Sequence, residues 1–208
     1  MQPVWLFDLD NTLHDAGQHI FPHINRAMTE HLAARLGLSL DEASTLRAHY
    51  WKRYGATVHG MVRHHGARPG DFLAATHQFA DLGAMVVFDP AVRAHLRTLP
   101  GRKVLFSNAP RRYVREILRY TGLDRVLDDV FTIEDLCYRA KPDPCGYQTI
   151  LRRLRVKGPQ CIMVEDTAQN LRPAKRLGMR TVWITPRCDK APPWVDLQLR
   201  SVRALRAF

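Results

Sequence analysis

The stretch that constrains this chain most is Val4-Trp5-Leu6-Phe7-Asp8-Leu9-Asp10-Asn11-Thr12-Leu13. It opens as a continuous apolar run, the pattern of a strand buried on both faces of a parallel sheet. It then reaches two acids separated by one residue. In extended chain, residues i and i+2 point the same way, so Asp8 and Asp10 stand side by side at the strand's carboxyl end. Open α/β sheets bind their ligands at that edge. Like charges that close raise each other's pKa unless a cation or a shared proton relieves them. Two uses follow: a divalent metal site, or a division into a nucleophile and an acid/base. Asn11 stands at the turn, where asparagine tolerates a left-handed backbone. A lone Asp-x-Asp also reads as two solvated acids, so the decision rests on what the remaining chain supplies.

Beyond Leu13 the periodicity turns helical. Pro22 suits a first turn, and Ile24, Met28, Leu32 and Leu36 recur at spacing four until Gly37. Ser39-Leu40-Asp41-Glu42 is a capping box, opening a helix with Leu46, Tyr50 and Tyr54 on one face up to Gly55. Helical pieces Thr57 to His65 and Asp71 to Phe79 follow. The expectation is an all-helical insert over residues 15–87, with residues 1–14 and 88–208 forming the other domain. From Asp89 strands and helices alternate. Strands are expected at Lys103–Phe106, Val130–Thr132, Cys161–Val164, Thr181–Ile184 and Val195–Leu199. Helices are expected from Pro90 to Leu99, from Pro110 to Gly122 and from Pro144 to Leu154. One more should run from Asn170, because Pro173 belongs in a first turn, to Gly178, and a terminal helix after Leu199. Thr185 to Trp194 reads as a loop. Such alternation argues for an α/β fold with a doubly wound, Rossmann-like parallel sheet.

Three strands thus end in polar groups: Asp8 and Asp10, Ser107 and Asn108, Glu165 and Asp166. Lys141-Pro142 lies in a loop between the second and third. All should meet at one sheet edge. Asp8 with Glu165 or Asp166 makes the all-oxygen site that Mg²⁺ prefers. Ser107, the Asn108 amide and Lys141 suit the oxygens of a phosphate. The reaction expected is attack of Asp8 on phosphorus to give an aspartyl-phosphate. Asp10 protonates the leaving oxygen and then activates water. Acid/base help is worth about 10²–10⁴-fold, against rate enhancements of up to ~10²¹ for phosphate monoesters. Metal, lysine and oriented donors must therefore supply much of the rest.

Asp8-Leu9-Asp10-Asn11-Thr12, Phe106-Ser107-Asn108, Lys141-Pro142-Asp143-Pro144 and Val164-Glu165-Asp166-Thr167 together resemble the four motifs of the haloacid dehalogenase-like phosphohydrolase superfamily. The helical insert falls where that superfamily carries a cap. The resemblance implies that Asp8 is nucleophile and metal ligand, and that Asp10 is acid/base with its carbonyl on Mg²⁺. It further implies that Ser107 and Lys141 hold phosphate, and that Asp166 binds metal with Glu165 beside it. The superfamily's dehalogenases lack the second acid and need no metal, so Asp10, Glu165 and Asp166 argue against that branch. Tyr54-Gly55-Ala56-Thr57, Arg63-His64-His65-Gly66, Asp71-Phe72-Leu73 and Phe106-Ser107-Asn108-Ala109-Pro110 are similar to the pyrimidine 5′-nucleotidase group. That likeness implies a pyrimidine nucleoside 5′-monophosphate as substrate, with Arg63 and His64 contacting the leaving group. The alternative keeps the chemistry and takes a phosphosugar or phosphoglycolate. A non-enzymatic alternative is a basic regulatory domain that binds nucleic acid.

Composition bears on partners and compartment. The net charge of +11 suits an anionic partner. Its arginines are dispersed through helical patterns, including Arg111-Arg112-Tyr113-Val114-Arg115, which reads as a solvated surface rather than a nucleic-acid face. No apolar run is long enough to span a bilayer, and the amino terminus lacks a signal-peptide pattern. Cys137, Cys145, Cys161 and Cys188 form no C-x-x-C pair and read as reduced cytoplasmic thiols. His59, His64, His65 and His77 lack the converging spacing of a zinc site. Oligomeric state is left open by the sequence.

Overall fold

The computed structural model describes residues 2–187 and 189–206; Cys188 lies outside them. Strand β1, Val4–Phe7, is fully buried along its length. Its alternating side chains serve both faces: Trp5 and Phe7 stack on one side, with ring centroids 6.0 Å apart. On the other, Val4 and Leu6 enter a cluster with Val104, Phe106, Met163, Tyr147, Ile150 and Leu171. Each such side chain contributes about 1.5–3 kcal/mol on leaving water. A strand apolar on both faces has to be central, and β1 is.

The remaining strands are β2 (Arg102–Phe106), β3 (Asp129–Phe131), β4 (Cys161–Glu165), β5 (Arg180–Ile184) and β6 (Leu197–Leu199). Every pairing is parallel, and the order across the sheet is β3-β2-β1-β4-β5-β6. The order reverses at β1, so β1 is flanked by β2 and β4, with Phe7 beside Leu105 and Val164. Chains that leave β1, β2 and β4 therefore emerge at one place.

The helices of the structure are α1 (Ile20–Leu36), α2 (Leu40–Tyr54), α3 (Thr57–His65), α4 (Pro69–Thr76), α5 (Pro90–Thr98), α6 (Arg111–Thr121), α7 (Pro144–Leu154) and α8 (Ala168–Arg176). Helix α6 buries Tyr113, Val114, Ile117, Leu118 and Thr121 and turns Arg111, Arg112, Arg115 and Arg119 outward. The basic run is thus the solvated side of a sheet-covering helix. By contact the chain divides into two compact units, one being Gly17–Met85 and the other the residues up to Ala16 with those from Val86 onward. The first is an all-helical insertion of α1 to α4. The capping box at Ser39 forms as read, the Ser39 hydroxyl accepting from the Glu42 amide and Glu42 accepting from the Ser39 amide. Helix α3 passes close over α2 because Gly60 has no side chain; a Cβ there would stand 2.1 Å from the Tyr50 ring.

Three expectations are corrected. Helix α4 starts at Pro69, a residue suited to a first turn, and ends at Thr76 rather than Phe79. Helix α8 starts at Ala168 rather than Asn170, which leaves Pro173 inside it. Interior proline removes a helical hydrogen bond. Its missing N–H is the one that would reach the Gln169 carbonyl, and on either side the Trp194 indole donates to the Ala168 carbonyl and the Tyr147 hydroxyl to that of Asn170. After β6 the described chain forms a single 3-10 turn, Val202–Ala204, and not a helix. Among the described residues no helix is long and apolar enough to cross a membrane.

Candidate active site

Asp8 follows β1 directly, and its amide bonds the Val164 carbonyl, so the ladder to β4 continues one residue past the strand. Glu165 ends β4, and Ser107 follows β2, its amide donating to the Phe131 carbonyl. Lys141 arrives from the loop before α7. Its ammonium is 1% exposed and donates 2.6 Å to Asp8 Oδ1 and 2.6 Å to Glu165 Oε2. It also lies 4.9 Å from the centroid of the Phe106 ring. The second Asp8 oxygen accepts from the Thr12 hydroxyl at 3.2 Å. The second Glu165 oxygen accepts from the Thr167 amide at 3.1 Å. Both buried carboxylates are held at both ends.

The electrostatics follow from burial. Desolvation pushes Asp8 up to about 7, reinforced by Glu165 and opposed by Lys141. Desolvation likewise pushes Glu165 up to about 7, with Lys141 opposing and Asp166 adding. Asp166 rises to about 6, again chiefly through burial and then through Asp8. Burial alone would lower Lys141, but Asp8 and Glu165 outweigh it and raise its pKa. The ammonium therefore favours its charged form, while burial first and neighbouring acids second raise its carboxylate partners.

That crowding fits a cation. Asp8, Glu165 and Asp166 each offer an oxygen, all within 4.8 Å of one another. Three carboxylates face one ammonium, and hard all-oxygen donors suit Mg²⁺. Asp8 and Glu165 already accept hydrogen bonds on both oxygens, and Asp166 is the most accessible of the three carboxylates.

Asp10 faces a different set of partners. Its Oδ1 accepts from the Tyr113 hydroxyl at 2.5 Å and from His14 Nε2 at 2.9 Å. Asn11 has φ 60°, the left-handed turn anticipated for it, and its side chain accepts from the Ala16 amide. Ser107 Oγ accepts from the Ala109 amide, which directs its hydrogen elsewhere. Asn108 departs from the sequence reading. Its side-chain amide donates to the Lys141 carbonyl at 3.0 Å while its oxygen accepts from the Lys141 amide at 2.7 Å. A carboxamide can serve the backbone N–H and C=O of one residue together, so this side chain clamps Lys141. A phosphate contact from Asn108 is left to its backbone.

Arg63 and His64 belong to the helical unit. His64 Nε2 is hydrogen-bonded to the Tyr54 hydroxyl at 2.7 Å, and its ring stacks on Tyr50. The Arg63 guanidinium lies 6.0 Å from the centroid of the Tyr54 ring. His65 Nε2 is bonded to the Tyr50 hydroxyl at 2.7 Å, so tyrosines engage both of these ring nitrogens. Thr12, His14 and Tyr113 received no role from the sequence. Thr12 stands inside the first motif and was recoverable from its spacing of four to Asp8. Nothing in sequence order links Tyr113 to Asp10, 103 residues away.

Comparison with known proteins agrees with this geometry. A family profile described as haloacid dehalogenase-like hydrolase matches residues 4–178. Validoxylamine A 7′-phosphate phosphatase of Streptomyces hygroscopicus subsp. limoneus is 31% identical, covering 99% of this chain and 97% of the relative. A phosphoglycolate phosphatase of Rhodospirillum rubrum is 30% identical over 85% of this chain and 77% of its own length. The crystal structure of CbbY from Rhodobacter sphaeroides in complex with phosphate superposes with a TM-score of 0.70 at 21% identity, covering 100% of this chain and 97% of that one. At that identity the likeness concerns the fold.

Proposed function

Because the chain belongs to the haloacid dehalogenase-like hydrolase family, we propose that it is a phosphomonoesterase for a small phosphorylated metabolite, a phosphosugar or phosphoglycolate. The observation that carries this reading is the Lys141 bridge between Asp8 and Glu165, at the edge where β1, β2 and β4 end. It holds one carboxylate rigidly while a cation-ready cluster surrounds it. Asp8 attacks phosphorus and forms the aspartyl-phosphate. Lys141 and the Ser107 hydroxyl bind phosphate oxygens. Asp10 gives a proton to the leaving oxygen and later takes one from water. Mg²⁺, held by Asp8 and Asp166 with Glu165 and the Asp10 carbonyl beside it, would neutralise charge on the phosphate when bound.

The named relatives support the sugar-phosphate and phosphoglycolate reading over the pyrimidine nucleotide expected from the cap segments. Arg63 and His64 are the proposed contacts to the leaving group, through the hydroxyls of a sugar or the carboxylate of glycolate. The free thiols of Cys137, Cys145 and Cys161 support a reducing, cytoplasmic setting.

The test is phosphate release from a panel of phosphosugars, phosphoglycolate, UMP and AMP, with Mg²⁺ and with chelator. Turnover of a phosphosugar or phosphoglycolate that requires Mg²⁺ is expected. Preference for UMP would restore the nucleotidase reading, and no release from any ester would reject the phosphatase.

A further inference from the structure

Two hydrogen bonds converge on a single atom of Asp10, and the residues that make them lie outside the four motifs. Tyr113 stands in the first turn of α6 with its phenol buried; burial and the adjacent Asp10 raise its pKa, so the hydroxyl stays a donor. His14 follows the Asp10 turn and pairs with it in an isolated parallel bridge. Its ring is buried, and its Nδ1 has no hydrogen-bond partner among the described residues. An unpaired buried nitrogen is unfavourable, and an apolar residue of similar size would avoid it. What the position gains from histidine is therefore the other nitrogen, Nε2, on Asp10.

We propose that His14 and Tyr113 are positioning residues that hold Oδ1 of Asp10 and so commit proton exchange to Oδ2. The proposal rests on the acid/base role given to Asp10 above. A carboxyl torsion is broad and nearly two-fold, so an unrestrained Asp10 would exchange its two oxygens. Donors from two separate elements oppose that rotation. With Oδ1 filled, the proton of the acid form sits on Oδ2. As the ester P–O bond breaks, its electron pair goes to the leaving oxygen, which takes the Oδ2 proton. In the second half-reaction Oδ2 removes a proton from water as the water oxygen bonds phosphorus. The aspartyl P–O bond then breaks, and its electrons return to Asp8.

The experiment compares p-nitrophenyl phosphate, whose leaving group needs little protonation, with the alkyl phosphate ester turned over fastest in the panel. Tyr113→Phe and His14→Leu should each lower kcat/KM, which reports steps up to departure of the leaving group, about tenfold on the alkyl ester and less than about threefold on the aryl ester. His14→Gln, which places an N–H at the reach of Nε2, should recover most of the loss. Equal losses on both esters, or a glutamine variant no better than leucine, overturn the proposal. Asp10→Asn separates the two layers of the argument. If it too slows both esters equally, the acid role itself fails. If it discriminates while His14→Leu and Tyr113→Phe do not, the positioning alone fails. Should His14→Leu not fold, Tyr113→Phe decides.

Discussion

Replacing Lys141 by methionine keeps the unbranched stem and removes the one charge that two buried carboxylates share. In the native protein, burial has pushed Asp8 and Glu165 up to about 7 from ordinary values of 3.8 and 4.5. Groups raised in this way favour folding at low pH, and that contribution is lost as pH climbs through the folded value. Lys141 opposes both shifts, so without it the folded values move above 7 and the loss continues to higher pH. Each unit over which one carboxyl is held protonated is about 1.4 kcal/mol. Two carboxyls between pH 7 and 8 then give about 3 kcal/mol, the low end of the cost of breaking a buried ion pair. For a chain of this size that lowers Tm by about 6–12 °C. Thermal unfolding followed by circular dichroism, in chelator at pH 5 and pH 8, reads it directly. At pH 5 both folded proteins carry these carboxyls protonated, and the charge-linked part of the deficit should vanish. A deficit equal at the two pH values, or none at pH 8, would refute the bridge.

Other substitutions probe the remaining parts. Asp8→Asn should abolish steady-state phosphate release while leaving Tm within a few degrees, and sustained turnover by pure variant would exclude the covalent route. Asp166→Ala should raise the Mg²⁺ concentration for half-maximal activity, with excess Mg²⁺ restoring part of the rate; an unchanged metal requirement removes Asp166 from the ligand set. Asn108→Ala should lower kcat by releasing Lys141 and change KM less than about threefold, whereas a KM effect alone would return its side chain to the phosphate. Gly60→Ala should cost about 1–3 kcal/mol by driving a methyl into the Tyr50 ring, seen as lower Tm; wild-type stability would contradict the α2–α3 packing.

Much of this protein is written locally. The apolar run before Asp8, the capping box at Ser39 and the alternation after Asp89 each depend on neighbours a few residues apart. Strand β1, helix α2 and the parallel sheet accordingly appear where those patterns put them. The misplaced ends are those where a local rule competes with packing. Pro173 should open a helix by its own stereochemistry, yet α8 begins five residues earlier at Ala168, packing Leu171 and Ala174 into the core. Strand ends also named the acids, since a parallel sheet brings its carboxyl edges together whatever the loop lengths, and the lysine was named from the loop before α7. Which atom meets which was decided only in three dimensions. Asn108 reads as a phosphate donor from its motif, but the backbone N–H and C=O of Lys141, 33 residues away, engage both ends of its side chain. Asp10 reads as half of a carboxylate pair with Asp8, but its Oδ1 is held by a histidine one turn on and a tyrosine from α6. Hydrogen bonds are short-ranged and directional, so their partners follow from where helices pack on the sheet, and that no spacing along the chain encodes.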